Sequence, residues 1–417
     1  MYTFISIKIL AFFIIMLEQK YIKSAFELLV NKKVIKSPKN YSCVQKYLKS
    51  LPSGYCHSYP NVVSLKVTAN CNLRCKHCFY SGEPDLYSSD NDSKKEDIFK
   101  LIDFLADELN IINLTLTGGE TFVRKDFLDI VRYAKSKYLP LVIQTNGTLL
   151  NEKIALQLNE VLYKKSDIIH ISIDGADEKS HDSIRGSGTF NKAVNSIKLL
   201  RKYSLPVQIN VCLTSISAPT IQNIFTLSQS LGVDKLSISR FHVSNEQHRY
   251  LDLSTVDLIY CSHKVFQEMK KYPNISAAVK IVDIFDFLKI AAGRKILDAY
   301  LEENKPKILE NQCLSCHNHN KIVISAKGDV FLCSMYESDD TTLGNLHEKD
   351  FYEIWENRFN TPYFQKRDIS TTKCKNCKYI ALCGTGCMAS AYKKYGDINA
   401  APAECTYYQE YLKEQYE

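Results

Sequence analysis

Three things are scarce in this sequence, and each scarcity narrows the function. Charge of one sign is not in large excess: 53 lysines and arginines face 46 acidic residues, a net charge of +7 over 417 residues. That balance points to neither nucleic acid nor a membrane surface as partner. Internal repeats and low-complexity tracts are lacking, so the length must be accounted for by folded domains, and two are expected. A convincing membrane or export segment is lacking too. Met1 to Leu17 is strongly apolar, with Lys8 its only charge before Glu18. It is nevertheless short for a span, has no basic start, and shows no small-residue cleavage site before Glu18 and Lys20. A buried or frayed helix, or translation from Met16, accounts for it, and a cytoplasmic protein without a membrane partner is expected.

Cysteine, by contrast, is abundant, with 15 residues at far from random positions. An odd count, recurrent CxxC pairs and an α/β pattern fit metal binding in a reducing compartment better than a disulfide scaffold.

Residues 18–58 read as a basic helical stretch that breaks at Pro52, Ser53 and Gly54. Short β-branched runs follow, each succeeded by a helical stretch: Val62–Thr68, Ile111–Thr117, Leu141–Thr145, Ile168–Ile173, Val207–Leu213 and Lys235–Ser239. Strands alternating with helices predict right-handed crossovers and a parallel sheet, curling into a partial (β/α)6 TIM-like barrel of the α/β class. The predicted organisation is an N-terminal helical extension (1–58), a core barrel (59–245), a helical linker region (246–310) and a small cysteine-rich domain (311–417). In such barrels chemistry gathers where the strands end. Cys71 follows the first strand, Gly118-Gly119-Glu120 the second, Asn146-Gly147 the third and Asp174-Gly175 the fourth, so four such loops are expected at one mouth.

Cys71, Cys75 and Cys78 are spaced CxxxCxxC. On a helix that spacing would make an apolar stripe, but Asn70, Asn72, Arg74, Lys76 and His77 around them favour a polar loop. Three thiolates are one short of a closed tetrahedral site, which suggests a cluster with one iron left open. Followed by Phe79-Tyr80, the trio resembles the signature of the radical S-adenosylmethionine (SAM) superfamily. The resemblance implies a [4Fe-4S] cluster on these cysteines, SAM chelating the open iron, and reductive cleavage of SAM to a 5′-deoxyadenosyl radical that abstracts hydrogen from substrate. Gly118, Gly119 and Glu120 resemble the family segment that contacts the methionyl amino group, although a Gly-Gly turn between strand and helix is common in itself. Ser172, in Ser172-Ile173-Asp174-Gly175, matches a strand end near the SAM ribose. Arg185 resembles an arginine reaching the SAM carboxylate, beside the alternative of an ordinary surface arginine.

The remaining cysteines form two groups, Cys313-x2-Cys316 with Gly328-x4-Cys333, and Cys374-x2-Cys377-x5-Cys383-x3-Cys387 with a late Cys405. Eight thiolates suit two four-ligand sites, and spacing alone does not separate iron–sulfur clusters from zinc. The ordering resembles the SPASM domain that follows many radical SAM cores. Carried over, it implies Cys313, Cys316, Cys333 and Cys387 on one auxiliary [4Fe-4S] cluster and Cys374, Cys377, Cys383 and Cys405 on a second, making three clusters in all. The short gap between Cys313 and Cys316 departs from many family members and leaves open whether both are ligands. Cys43, Cys56, Cys212 and Cys261 remain over: Cys43 and Cys56 read as surface or core thiols, with a substrate-facing place as the alternative, and Cys212 as a small buried apolar residue in a strand.

The resemblance implies a peptide or protein substrate and a one-electron donor such as flavodoxin or ferredoxin. Sulfatase maturases and small-molecule SPASM enzymes are the alternatives, and Ser334, where the maturases carry an aspartate after the auxiliary cysteine, counts against the former. A non-enzymatic zinc-binding interaction module is the alternative of another class, and it leaves the barrel unexplained. Residues 18–58 offer a basic segment that could dock an acidic leader peptide.

Overall fold

The computed structural model describes residues 59–78, 92–243, 246–280, 321–335, 337, 339–361, 373–377, 387–401 and 405. The expected N-terminal extension, Phe79-Tyr80, Cys313, Cys316 and Cys383 lie outside the described residues. The six predicted strands are all present: β1 (Val62–Thr68), β2 (Asn113–Gly118), β3 (Leu141–Thr145), β4 (Ile168–Ser172), β5 (Val207–Leu213) and β6 (Lys235–Arg240). Between them run α1 (Lys95–Asp103), α2 (Phe127–Ser136), α3 (Glu152–Val161), the pair α4 (Glu178–Arg185) and α5 (Thr189–Lys202), and α6 (Asn223–Ser230).

These helices form for local reasons as well as tertiary ones. Asn151 and Asp177 cap α3 and α4, their side chains accepting from the backbone N–H of Ile154 at 3.0 Å and of Ser180 at 2.8 Å. In α2 the buried Phe127, Ile130, Val131 and Ala134 recur at helical spacing and face the sheet.

The stretch 246–310, expected to be helical and linking, holds α7 (Thr255–Lys271) and then a further strand, β7 (Ser276–Lys280), paired in parallel with β6. Its sequence, Ser-Ala-Ala-Val-Lys, offers one β-branched residue, so pairing with β6 rather than propensity makes it a strand. Downstream lie β8 (Lys321–Ile324), β9 (Asp329–Phe331), β10 (Thr342–Asn345), α8 (Phe351–Glu356) and α9 (Met388–Tyr395). Among the described residues the sheet has ten strands in the order β10-β9-β8-β1-β2-β3-β4-β5-β6-β7. The neighbours from β8 through β1 to β7 run parallel, and β9 and β10 are antiparallel additions at one edge.

The cysteine-rich region thus joins the barrel through backbone pairing, with Val62 opposite Lys321 and Leu65 opposite Ile324. Gly328, at φ 93°, closes the turn from β8 to β9, its N–H reaching Ser325 O at 3.1 Å. The Gly328-x4-Cys333 spacing is therefore a hairpin turn, a three-residue strand and a short exit. Side chains add to the join: Phe104 packs against Phe351 and Tyr352, with ring centroids 5.2 and 6.0 Å apart. Trp355, the single tryptophan of the chain, is fully buried in the shared core.

Below the sheet a buried ion pair joins α2 to the start of β4. Both oxygens of Asp167 lie 2.8 Å from Lys135 Nζ, and the carboxylate also accepts from the N–H of Leu141 and Tyr163. Lys135 retains Leu139 O at 2.8 Å and the ring of Tyr163. Removing the anion strands a buried cation and two amides, whereas removing the lysine leaves Asp167 two backbone donors. Asp167→Ala is expected to cost about 3–5 kcal/mol and Lys135→Met clearly less, as read by urea denaturation of both variants; the reverse order would refute this account.

Candidate active site at the mouth of the sheet

The four loops expected at one mouth do meet. Cys71 to Cys78 follow β1, and the Gly118-Gly119 pair at the end of β2 lies directly against that loop. A Cβ on Gly118 would sit 2.2 Å from Thr68 O, and one on Gly119 would sit 2.2 Å from Asn70 O and 2.5 Å from Ala69 O. Both glycines are thus required by backbone touching backbone. Gly119 N–H donates to Thr68 O and Glu120 N–H to Asn70 O, each at 2.9 Å.

Glu120 is buried at 1% exposure and looks inward to the protein. Its carboxylate accepts from Thr145 Oγ1 at 2.6 Å, Asn146 N at 2.6 Å and Phe122 N at 3.1 Å. Burial pushes its pKa up against these hydrogen bonds. The carboxylate orders the loop after β3, and Asn146 Nδ2 in turn donates to Asn72 Oδ1 in the cysteine loop at 3.0 Å. In this structure the Gly-Gly-Glu segment holds loops together.

Asp174, after β4, is fully buried and binds three elements at once. It accepts from His77 of the cysteine loop at 2.7 Å, from Arg185 Nε at the end of α4, and from Cys212 N on β5 at 2.9 Å. Burial would raise its carboxyl, but the charges and hydrogen bonds of Arg185 and His77 win and hold it well below the usual carboxylate range. Arg185 is no solvated surface residue: its side chain is 12% exposed and committed to Asp174. Ser172 lies half-buried beside this cluster, opposite Asn210 of β5.

The three thiols of the first motif sit in this framework. Cys75 is buried, while Cys71 and Cys78 are half-buried. Burial pushes Cys71 up and Cys75 up to about 12, and for Cys75 the neighbouring cysteines add to the effect. Three soft donors near enough to feel one another's charge, with burial favouring the thiol form of Cys71 and Cys75 until a cation displaces the proton, fit an iron–sulfur cluster. Among the described residues no three metal-binding side chains converge as a single-ion site requires. Of the second cysteine set, Cys333, Cys374, Cys377, Cys387 and Cys405 are described, and Cys374 and Cys405 are buried.

Sequence reading missed the inner face of the sheet. Parallel strands covered on both faces are apolar throughout, yet here Thr117, Gln144, His170, Gln208, Asn210, Ser237 and Ser239 alternate with fully buried aliphatic residues and are only half-buried. One face packs on the helices, and the other, polar and half-buried, is the inner trough of the partial barrel. Cys212 belongs to this face rather than to the apolar core, and burial raises its thiol pKa. Lys66 of β1 is there as well, ion-paired with Glu337 from the cysteine-rich region. The period-2 polar alternation was the available signal.

Residues 65–224 match the radical SAM superfamily, and residues 302–378 match the SPASM iron–sulfur cluster-binding domain. The chain thus carries a radical SAM domain followed by a SPASM domain. It is an enzyme that works with SAM and iron–sulfur clusters. The chain is 28% identical to the AdoMet-dependent heme synthase of Methanosarcina barkeri, over 84% of this chain and 97% of that one. It is 25% identical to the mycofactocin maturase MftC of Mycobacterium tuberculosis, over 83% of each. In fold it resembles Streptococcus suis SuiB bound to the precursor peptide SuiA, with a TM-score of 0.67, 17% identity, and 93% of this chain and 89% of that one covered.

Two outcomes follow from this geometry. Gly119→Ala places a methyl group on immovable backbone, so a loss of about 1–3 kcal/mol and fewer irons retained per chain are expected; unchanged melting and iron content would mean the loops are not in contact. The second concerns His181, whose Nδ1 accepts from Asp174 N at 3.2 Å and whose pKa burial pushes down to about 4. The unfolded imidazole, near 6.5, takes its proton first as pH falls. Its stabilisation is therefore complete above about pH 6.5 and is lost as pH drops through about 4. Urea midpoints should fall less on acidification in His181→Gln than in the parent, and parallel curves would contradict this.

Proposed function

We propose that the enzyme takes a hydrogen atom from a peptide bound in the trough under Cys71, Cys75 and Cys78, in the maturation of a ribosomally made peptide. The observation that carries this reading is the polar inner face of the sheet, with half-buried residues on successive strands of the sheet whose first strand leads into the thiol loop. Cys71, Cys75 and Cys78 would hold a [4Fe-4S] cluster, which with SAM bound would supply a 5′-deoxyadenosyl radical. The protein's own residues hold and enclose. Gly118 and Gly119 seat the cysteine loop against β2, Asp174 fixes it through His77, and Glu120 orders the neighbouring loop. Ser172 and Arg185, at the same mouth, are assigned to SAM.

The eight C-terminal cysteines are assigned to two auxiliary clusters, with Cys313, Cys316, Cys333 and Cys387 on one and Cys374, Cys377, Cys383 and Cys405 on the other. Core, linker and SPASM regions are assigned to 59–245, 246–310 and 311–417. Electrons would come from a flavodoxin or ferredoxin, in the cytoplasm. Among the described residues no helix is long and apolar enough to cross a membrane. Support for a peptide comes from the fold shared with SuiB, whose structure holds a precursor peptide, and from the maturase relative. A second reading, a haem precursor, is favoured by the 97% coverage of the heme synthase.

The test is anaerobic reconstitution with iron and sulfide, followed by dithionite and SAM. About twelve irons per chain and formation of 5′-deoxyadenosine are expected. Replacing Cys71, Cys75 and Cys78 together by Ala should remove about four irons and abolish 5′-deoxyadenosine. Stoichiometric zinc without SAM cleavage would end this reading.

A further inference from the structure

A peptide in the trough needs groups that recognise it, and the inner face of β2 to β5 carries two hydrogen-bonded groups of polar side chains. Thr117 Oγ1 donates to Gln144 Oε1 at 2.9 Å, across β2 and β3. Gln208 Nε2 donates to Asn210 Oδ1 at 2.7 Å, and Asn210 Nδ2 meets His170 Nδ1 at 3.2 Å, across β5 and β4. These contacts fix a direction. With its oxygen taken by Gln208, Asn210 can offer only its amino group to the imidazole, so His170 Nδ1 acts as the acceptor.

Among the described residues the same bonds leave two groups without a hydrogen-bond partner: the amino group of Gln144, whose oxygen is held by Thr117, and the carbonyl of Gln208, whose amino group is held by Asn210. Both residues are half-buried, so neither group is sealed in the core. One is a donor and the other an acceptor, on strands that flank β4. A peptide unit presents the complement, a carbonyl to accept and an N–H to donate. Charge agrees with this: Thr117, Gln144, Gln208 and Asn210 bear no formal charge, and the cation of Lys66 on the same face is already paired with Glu337. Among the described residues on these four strands a polycarboxylate ligand would be desolvated without a cation to meet it.

Resting on the peptide reading above, we propose that Gln144 and Gln208 are the substrate-specificity residues, gripping the main-chain carbonyl and N–H of the peptide in the trough. Gln144 donates and Gln208 accepts. Thr117 and Asn210 act as positioning residues that set the orientation of each carboxamide.

The test uses the reconstituted, SAM-loaded full chain as bait for a displayed library of random-sequence peptides, with coproporphyrin, a tetracarboxylate macrocycle, as the competing probe. Peptides enriched by the parent are then titrated against Gln144→Leu, Gln208→Leu and the volume-conserving Gln144→Glu. Iron content and melting temperature are read alongside to identify any variant that fails to fold. Loss of about tenfold in affinity per variant, at parental iron content, is expected. Enriched peptides that bind the correctly folded variants as tightly as the parent would overturn the assignment to Gln144 and Gln208 while leaving the peptide reading intact. No enrichment by the parent, with or without tight coproporphyrin binding, would overturn both.

Discussion

A single buried carboxylate sets the geometry of this site. Asp174 lies where the thiol loop, the end of α4 and strand β5 converge, and it accepts a hydrogen bond from each. An anion at that depth persists only because a guanidinium and an imidazole compensate it. The compensation also positions: His77 lies between Cys75 and Cys78, so fixing its ring fixes the loop. On the opposite side Glu120 plays a related part with neutral donors, tying the loop after β3 to the Gly-Gly turn. The two carboxylates differ in character because one faces charges and the other faces hydroxyls and amides.

The sheet beneath has two unlike faces. Aliphatic residues such as Leu116, Ile143, Ile171 and Ile209 are wholly buried against helices. Their neighbours on the other side are polar and half-open. A filled TIM barrel has its interior packed with apolar side chains, whereas here the inner face is polar and half-buried. The region that carries the auxiliary cysteines is no loose appendage to it, since β8 extends the sheet and Glu337 reaches Lys66.

Much of this was legible in the sequence. β1, β3 and β5 have the bounds that their β-branched runs predict, and the four loops lie together as strand order demands. What escaped was whatever depends on distant partners. Ser276–Lys280 becomes a strand only because β6 offers an edge, and nothing local marks it. The glycines after β2 read as a place for a ligand to approach, but the close neighbour is the backbone of Thr68 to Asn70. Arg185 could be read as a surface residue because Asp174, eleven positions earlier, gives no sign in one dimension of pointing at it. Cys212 was misread for a simpler reason. In isolation it is a small apolar residue, and only beside Gln208 and Asn210 does its position on the polar face become evident.

The pairing of β8 with β1 also bears on how the molecule is made. The first strand of the core to leave the ribosome is among the earliest parts synthesised, yet one of its two hydrogen-bonding edges waits for a strand encoded far downstream. Until Lys321–Ile324 emerges, that edge of β1 presents unpaired backbone, the kind of surface that recruits other chains. Nascent protein therefore passes through a sticky interval, and shortening the gene from its 3′ end would prolong that interval indefinitely.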